Sequence, residues 1–119
     1  MSRTRKPLVW LVDALTTPPV GREARHEAGT LLRLLQEGEA LSFPESRPMP
    51  QVSPRVHELR VRDRETRSTW RIFYRIDFDA IVLIEWFMKK TRKTPRAAVD
   101  TCRERLRRFD VAAERGAER

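Results

Sequence analysis

The chain has 119 residues, of which 39% are hydrophobic and 35% charged, and its formal net charge is +8. That length suits one domain with a single hydrophobic core. A single cysteine excludes an internal disulfide framework, and no apolar run approaches the roughly 18 residues of a membrane-spanning helix. We therefore expect a single domain over residues 1–119, located in the reducing cytoplasm and without a membrane partner.

The positive charge is concentrated in the second half of the chain. Residues 55–96 contain 12 Lys and Arg against 6 Asp and Glu, which gives this segment a net charge of +6. Such a segment attracts phosphate backbones or an acidic protein, and salt weakens either attraction. Charge alone leaves both kinds of partner open.

The first half of the chain predicts a strand, a helix and a connection. The short apolar run at 8–12 is rich in β-branched and aromatic residues, which favours a strand. From Arg22, apolar residues recur at spacings of three and four, which predicts an amphipathic helix that stops near Gly38. Residues 39–54 are rich in proline and predict an extended surface connection. Arg47 within it could reach a ligand, but a solvated loop charge is the favoured interpretation.

Three strands are predicted next, at 56–61, 69–76 and 80–87, with short loops that favour an antiparallel meander. The third is almost wholly apolar, as expected of a central strand covered on both faces. After Pro95 an amphipathic helix follows, and the polar tail at 112–119 is expected to fray.

These elements predict an α+β fold. Its small antiparallel sheet consists of the N-terminal strand and the three-strand meander, packed with an N-terminal and a C-terminal helix. We expect the apolar side of the sheet to face the helices and its charged side to face solvent.

Arg71 is the most informative charged residue, because it lies inside a predicted strand between aromatic residues. An arginine offers a planar fork of donors that suits phosphate oxygens, and a strand fixes its direction. The alternative is a salt bridge to Glu58 or Glu85 on neighbouring strands. No zinc-binding cluster, dinucleotide-binding or phosphate-loop motif, or serine-protease triad signature accompanies it.

Three stretches together resemble the HigB-like branch of the RelE/ParE toxin superfamily. They are ELR at 58–60, WRIFYRID at 70–77 and FMKKTRKTP at 87–95, the last followed by a closing helix. The resemblance extends from about Leu31 to Phe109. It implies a RelE-like fold and the toxin of a type II toxin–antitoxin system, which cuts mRNA in the ribosomal A site. It also implies a metal-free and cofactor-free reaction, in which the ribose 2′-OH attacks the adjacent phosphate and leaves a 2′,3′-cyclic phosphate.

The resemblance assigns catalytic roles to particular residues. Arg71 falls on the strand arginine of the family and would stabilise charge on the pentacovalent phosphate. Lys89 and Lys90 fall at the end of the sheet, where either would act as general acid or bind phosphate. Relatives often place histidine, tyrosine or lysine there, and because this chain has neither histidine nor tyrosine, the acid–base roles have no obvious owner. Glu58 or Tyr74 could serve as base, but pairing with an arginine is an equal alternative for Glu58.

The remaining basic residues would hold RNA, namely Arg60, which falls on the arginine of ELR, together with Arg75, Arg92 and Lys93. The implied partners are mRNA on the ribosome and an antitoxin with a helix-turn-helix domain, through which alone DNA would be contacted. Two alternatives stay open, because fold does not determine function. The chain could be a non-enzymatic inhibitor of DNA gyrase, as in the ParE branch, or an inactive basic RNA-binding domain.

Overall fold

The structure is a computed structural model that describes residues 5–12, 21–42, 44–88 and 95–117. Its elements are β1 (Leu8–Trp10), α1 (Arg22–Gln36), β2 (Ser46–Pro48), β3 (Val56–Asp63), β4 (Ser68–Ile76), β5 (Ile81–Met88) and α2 (Arg96–Ala117). The predicted α+β class is confirmed. Neither of the two described helices is long and apolar enough to cross a membrane.

The five strands form one sheet in the order β1-β5-β4-β3-β2. The antiparallel pairing of β3 with β4 and of β4 with β5 matches the predicted meander. Two details differ from the prediction. β1 pairs with β5 in parallel, and the proline-rich connection adds a short edge strand, β2, antiparallel to β3. Pro48 is tolerated in β2 because an edge strand leaves part of its backbone unpaired.

The two helices lie on opposite faces of the sheet, which corrects the expectation that both would cover one apolar side. α1 packs on a core that includes Leu59, Ile72 and Leu83, whereas α2 packs on Phe73 and Val82 with their neighbours. Residues of β4 therefore alternate between two cores rather than between a core and solvent. The central strand β5 is covered on both faces, as predicted.

A glycine lies at each end of α1, and α2 is longer than predicted. Gly21 caps the N-terminus of α1, and a Cβ there would overlap the buried carboxylate of Asp63, so the close approach requires glycine. After α1, Gly38 has a φ of 90°, a conformation that glycine adopts without strain. α2 continues to Ala117 and so includes most of the tail that was expected to fray.

Candidate functional site

Three arginines and one glutamate share the face of the sheet where α2 packs. Arg47 of β2 lies opposite Glu58 of β3, and Arg60 of β3 lies opposite Arg71 of β4. Alternate residues of a strand share a face, so Glu58 and Arg60 point the same way. We call Arg47, Arg60 and Arg71 the arginine cluster. Two of its members and the glutamate were predicted to be site residues, and the structure brings them together.

Glu58 is the counter-ion of this cluster. It is fully buried, and its Oε1 accepts a hydrogen bond from Arg47 Nε at 2.9 Å and lies 3.4 Å from Arg71 Nη1. Of the two salt bridges considered for Arg71, the structure shows the one to Glu58. The other carboxylate, Glu85, instead accepts a hydrogen bond from Arg105 at 2.8 Å.

Arg71 is buried but incompletely hydrogen-bonded. Its residue exposure is 8%, and within the described part of the chain its Nε and Nη1 have no hydrogen-bond partner. Burial lowers the pKa of Arg71, Glu58 raises it, and the nearby charges of Arg60 and Arg47 lower it further. Like charges directly opposite in a sheet are destabilising, so an anion bound here would relieve a repulsion that the folded chain carries. The cluster is therefore suited to bind an anion.

A groove of about 470 Å³ adjoins the cluster at the edge of β3. Its lining includes Arg60, Arg62 and Arg64 with Pro44, Glu45 and three residues of α1, which are Glu23, His26 and Glu27. Arg60 thus lies between the buried guanidinium of Arg71 and an open surface that carries charges of both signs.

Tyr74 lies on the opposite face of the sheet from Arg71. Its hydroxyl and Ser46 Oγ are 2.5 Å apart in the core beneath α1, and the His57 ring stacks on the tyrosine ring at a centroid distance of 5.7 Å. Burial raises the pKa of Tyr74, which the Ser46 hydrogen bond partly opposes. The sheet therefore separates Tyr74 from the arginine cluster. A strand residue three positions from Arg71 faces the other way, so this placement does not support Tyr74 as the base, and that role stays a prediction.

Arg75 shares the face of Arg71 but is bound by two carboxylates. Its guanidinium donates to Asp77 at 2.7 and 2.8 Å and to Asp110 of α2 at 3.0 and 2.7 Å. The hydrogen bonds that it donates to Asp110 and Asp77 raise its pKa. Arg75 therefore fastens α2 to β4, and its donors are engaged within the protein rather than free for RNA.

Four predicted site residues, Lys89, Lys90, Arg92 and Lys93, lie outside the described residues, and their roles stay predictions. β5 ends at Met88, which pairs with Trp70, the residue before Arg71. Arg47 is a member of the cluster that the sequence analysis left as a solvated charge. Its segment has no periodicity, and only its positive charge could have drawn attention to it.

A family model described as "Phage derived protein Gp49-like (DUF891)" matches residues 20–107. This range includes α1, the strands β2 to β5 and the whole arginine cluster, and it ends within α2. No curated protein and no solved structure matches the chain. By this match the chain belongs to the Gp49-like family, a RelE/HigB-like family associated with toxin–antitoxin systems.

Proposed function

We propose that the protein is the toxin of a type II toxin–antitoxin system and that it cuts mRNA on the ribosome. The observation that carries this proposal is Arg71, a buried guanidinium whose Nε and Nη1 have no hydrogen-bond partner among the described residues and whose counter-ion, Glu58, is shared with Arg47. Membership of a toxin–antitoxin-associated family supports the toxin assignment. The anion would be a phosphate of the RNA backbone.

In the proposed reaction the 2′-oxygen forms a bond to phosphorus while the bond to the 5′-oxygen breaks. The products are a 2′,3′-cyclic phosphate and a free 5′-hydroxyl. Arg71 stabilises the negative charge that accumulates on the nonbridging oxygens, and Arg60 holds the same phosphate or its neighbour. Donors fixed in place before the reaction act without reorganisation cost, and this electrostatic contribution is usually the largest single one in catalysis.

In this proposal neither Glu58 nor Tyr74 serves as the base. Glu58 is fully buried and already holds Arg47, so it positions charge and does not contact the 2′-hydroxyl. Tyr74 lies across the sheet. The 2′-hydroxyl proton passes to solvent water, and Lys89 or Lys90, to which the family resemblance gives the role of general acid, protonates the leaving 5′-oxygen. Neighbouring positive charges would lower the lysine pKa toward the range that this role needs.

The proposal is tested by primer extension on an mRNA translated in the presence of purified protein. We expect cleavage to fall by a factor of about 10² or more in Arg71→Ala, the usual loss when one preorganised charge donor is removed. Arg55→Ala is the matched control, because Arg55 is an exposed arginine bound to Asp77 at the far end of β4. An Arg71→Ala protein that keeps its thermal transition and the wild-type cleavage pattern would overturn the proposal. A gyrase supercoiling assay on the same samples tests the non-enzymatic alternative.

A further inference from the structure

We infer that Arg47 contacts the RNA phosphate in addition to Arg71 and Arg60, and that Glu58 is the positioning residue that sets Arg47 beside Arg71. The inference rests on the proposed function and adds to it. It concerns a residue in a segment that the sequence presented as a simple connection. It also gives a buried carboxylate a role other than proton transfer.

β2 holds the backbone of Arg47 in a fixed place. On one side of Arg47, Arg60 N–H donates to the carbonyl of Glu45 at 2.7 Å, and on the other Met49 N–H donates to the carbonyl of Val56 at 2.8 Å. The hydrogen bond between Ser46 and Tyr74 fastens the same strand from the opposite face. These hydrogen bonds restrain the backbone of Arg47 more than the backbone of a loop residue would be restrained.

Arg47 has hydrogen-bond donors available for a ligand. Its side chain is 39% exposed, and only its Nε is hydrogen-bonded within the described part of the chain, to Glu58. The fork of terminal nitrogens is therefore available, in contrast to Arg75, whose guanidinium is held by two aspartates. A planar fork presented at a fixed angle suits bidentate contact with phosphate oxygens.

Glu58 brings the guanidinium groups of Arg47 and Arg71 together. Arg47 Nε and Arg71 Nη1 both lie within 3.4 Å of the same oxygen, Glu58 Oε1. Two cations that share one carboxylate oxygen are near enough to contact one phosphate group. Glu58 is fully buried on the protein side of the pair, so an incoming anion would approach the two arginines from the side where Arg47 is exposed.

RNA binding tests the role of Arg47 independently of cleavage. The probe is a short fluorescent single-stranded RNA, and its affinity is measured by anisotropy at several salt concentrations. We expect Arg47→Ala to weaken binding about tenfold and to reduce the slope of log K against log salt by about 0.7, the value for one lost phosphate contact to a single strand. Arg55→Ala, the exposed arginine at the far end of β4, is expected to keep the wild-type slope.

A double-mutant cycle tests the role of Glu58. If Glu58 acts through Arg47, then Arg47→Ala costs little further affinity in a Glu58→Gln background, so the two effects are not additive. A purely structural Glu58 predicts additive effects. If Glu58→Gln does not fold, Glu58→Asp retains the buried charge but shortens its reach, and the same non-additivity is expected.

The outcomes separate this inference from the proposed function. An Arg47→Ala protein that binds RNA with the wild-type affinity and salt slope overturns the inference, even if Arg71→Ala abolishes cleavage. Additive effects of Arg47 and Glu58 overturn the positioning role. Conversely, wild-type cleavage in folded Arg71→Ala removes the proposed function, while a reduced salt slope in Arg47→Ala still supports the phosphate contact.

Discussion

Arg71 combines burial with a shortage of negative charge. Removing a guanidinium from water is costly unless a well-placed carboxylate compensates it, and Glu58 is divided between Arg71 and Arg47. A residue selected only to stabilise the fold would be better served by an apolar side chain of similar volume. The arrangement is therefore typical of a site in which stability is exchanged for ligand binding.

The buried hydrogen bond between the Tyr74 and Ser46 hydroxyls is expected to contribute to the stability of the fold. Tyr74→Phe leaves the buried Ser46 Oγ without its partner, which should lower the free energy of unfolding by about 1–3 kcal/mol in urea denaturation. The double variant Ser46→Ala/Tyr74→Phe removes both polar groups and should recover part of this loss, because no buried group is then left unsatisfied.

Cleavage by Tyr74→Phe is expected to persist, since the hydroxyl lies in the core beneath α1 and not beside Arg71. This variant therefore separates the geometric assignment from the sequence-based prediction of Tyr74 as base. Loss of cleavage in a folded Tyr74→Phe protein, with RNA binding unchanged, would support Tyr74 as the base.

At the scale of elements, α2 is attached to the sheet by apolar contacts and by two ion pairs. Val99, Cys102 and Leu106 pack on β4 and β5, and burial raises the pKa of the Cys102 thiol to about 12, as suits a core residue. Arg105 bonds to Glu85, and Asp110 bonds to Arg75. The second pair makes the attachment of α2 dependent on pH.

The hydrogen bonds from Arg75 hold the pKa of Asp110 below its usual value of 3.8. On acidification Asp110 therefore takes up its proton at a higher pH in the unfolded chain than in the folded protein. The stabilisation is fully present at pH values above the unfolded-state pKa and is lost as the pH falls through the lower folded-state pKa. We expect Asp110→Asn to lower the free energy of unfolding by about 0.5–1 kcal/mol at pH 7, a modest loss because the carboxylate side chain is 48% exposed.

The difference between wild type and Asp110→Asn should shrink as the pH falls below about 4, as measured by urea denaturation across the acid range. Asp100→Asn is the control, because Asp100 is an exposed carboxylate on the same helix. A constant difference between wild type and Asp110→Asn down to pH 3 would contradict the ion-pair assignment.

Periodicity predicts the elements of this fold better than their arrangement. The alternation in β4 correctly separates Ile72 and Tyr74 from Arg71 and Phe73, because side chains alternate strictly along a strand. The same pattern does not show that each face carries its own helix, since an apolar face looks alike whichever helix covers it. The parallel pairing of β1 with β5 was likewise not predictable, because it depends on a partner distant in the chain.

At the scale of the whole molecule, the basic segment predicts the sign of the partner's charge but not the geometry of the site. Arg71 and Arg60 could be selected from the sequence because they lie in strands of clear alternation. Arg47 could not, since only the register of β2 against β3 places it opposite Glu58. A strand of three residues with a proline leaves no periodic signal.

The family assignment leads to a prediction about the whole protein and its partner. Expression of the protein alone should arrest growth, and co-expression of an antitoxin from the neighbouring reading frame should relieve the arrest. If the antitoxin covers or distorts the arginine cluster, the purified complex should bind the RNA probe more weakly and with a smaller salt slope than the toxin alone, because fewer phosphate contacts form.

Two variants make this prediction specific to the site. Arg71→Ala should not arrest growth when it is expressed at the same soluble yield as the wild type. Arg55→Ala should still arrest growth, because Arg55 contacts Asp77 beyond the end of β4 and lies away from Arg71. Growth arrest by folded Arg71→Ala would place the toxicity elsewhere on the molecule. A complex that binds RNA as tightly as the free toxin would show that the antitoxin leaves the arginine cluster exposed, and neutralisation would then have to act on a step after RNA binding.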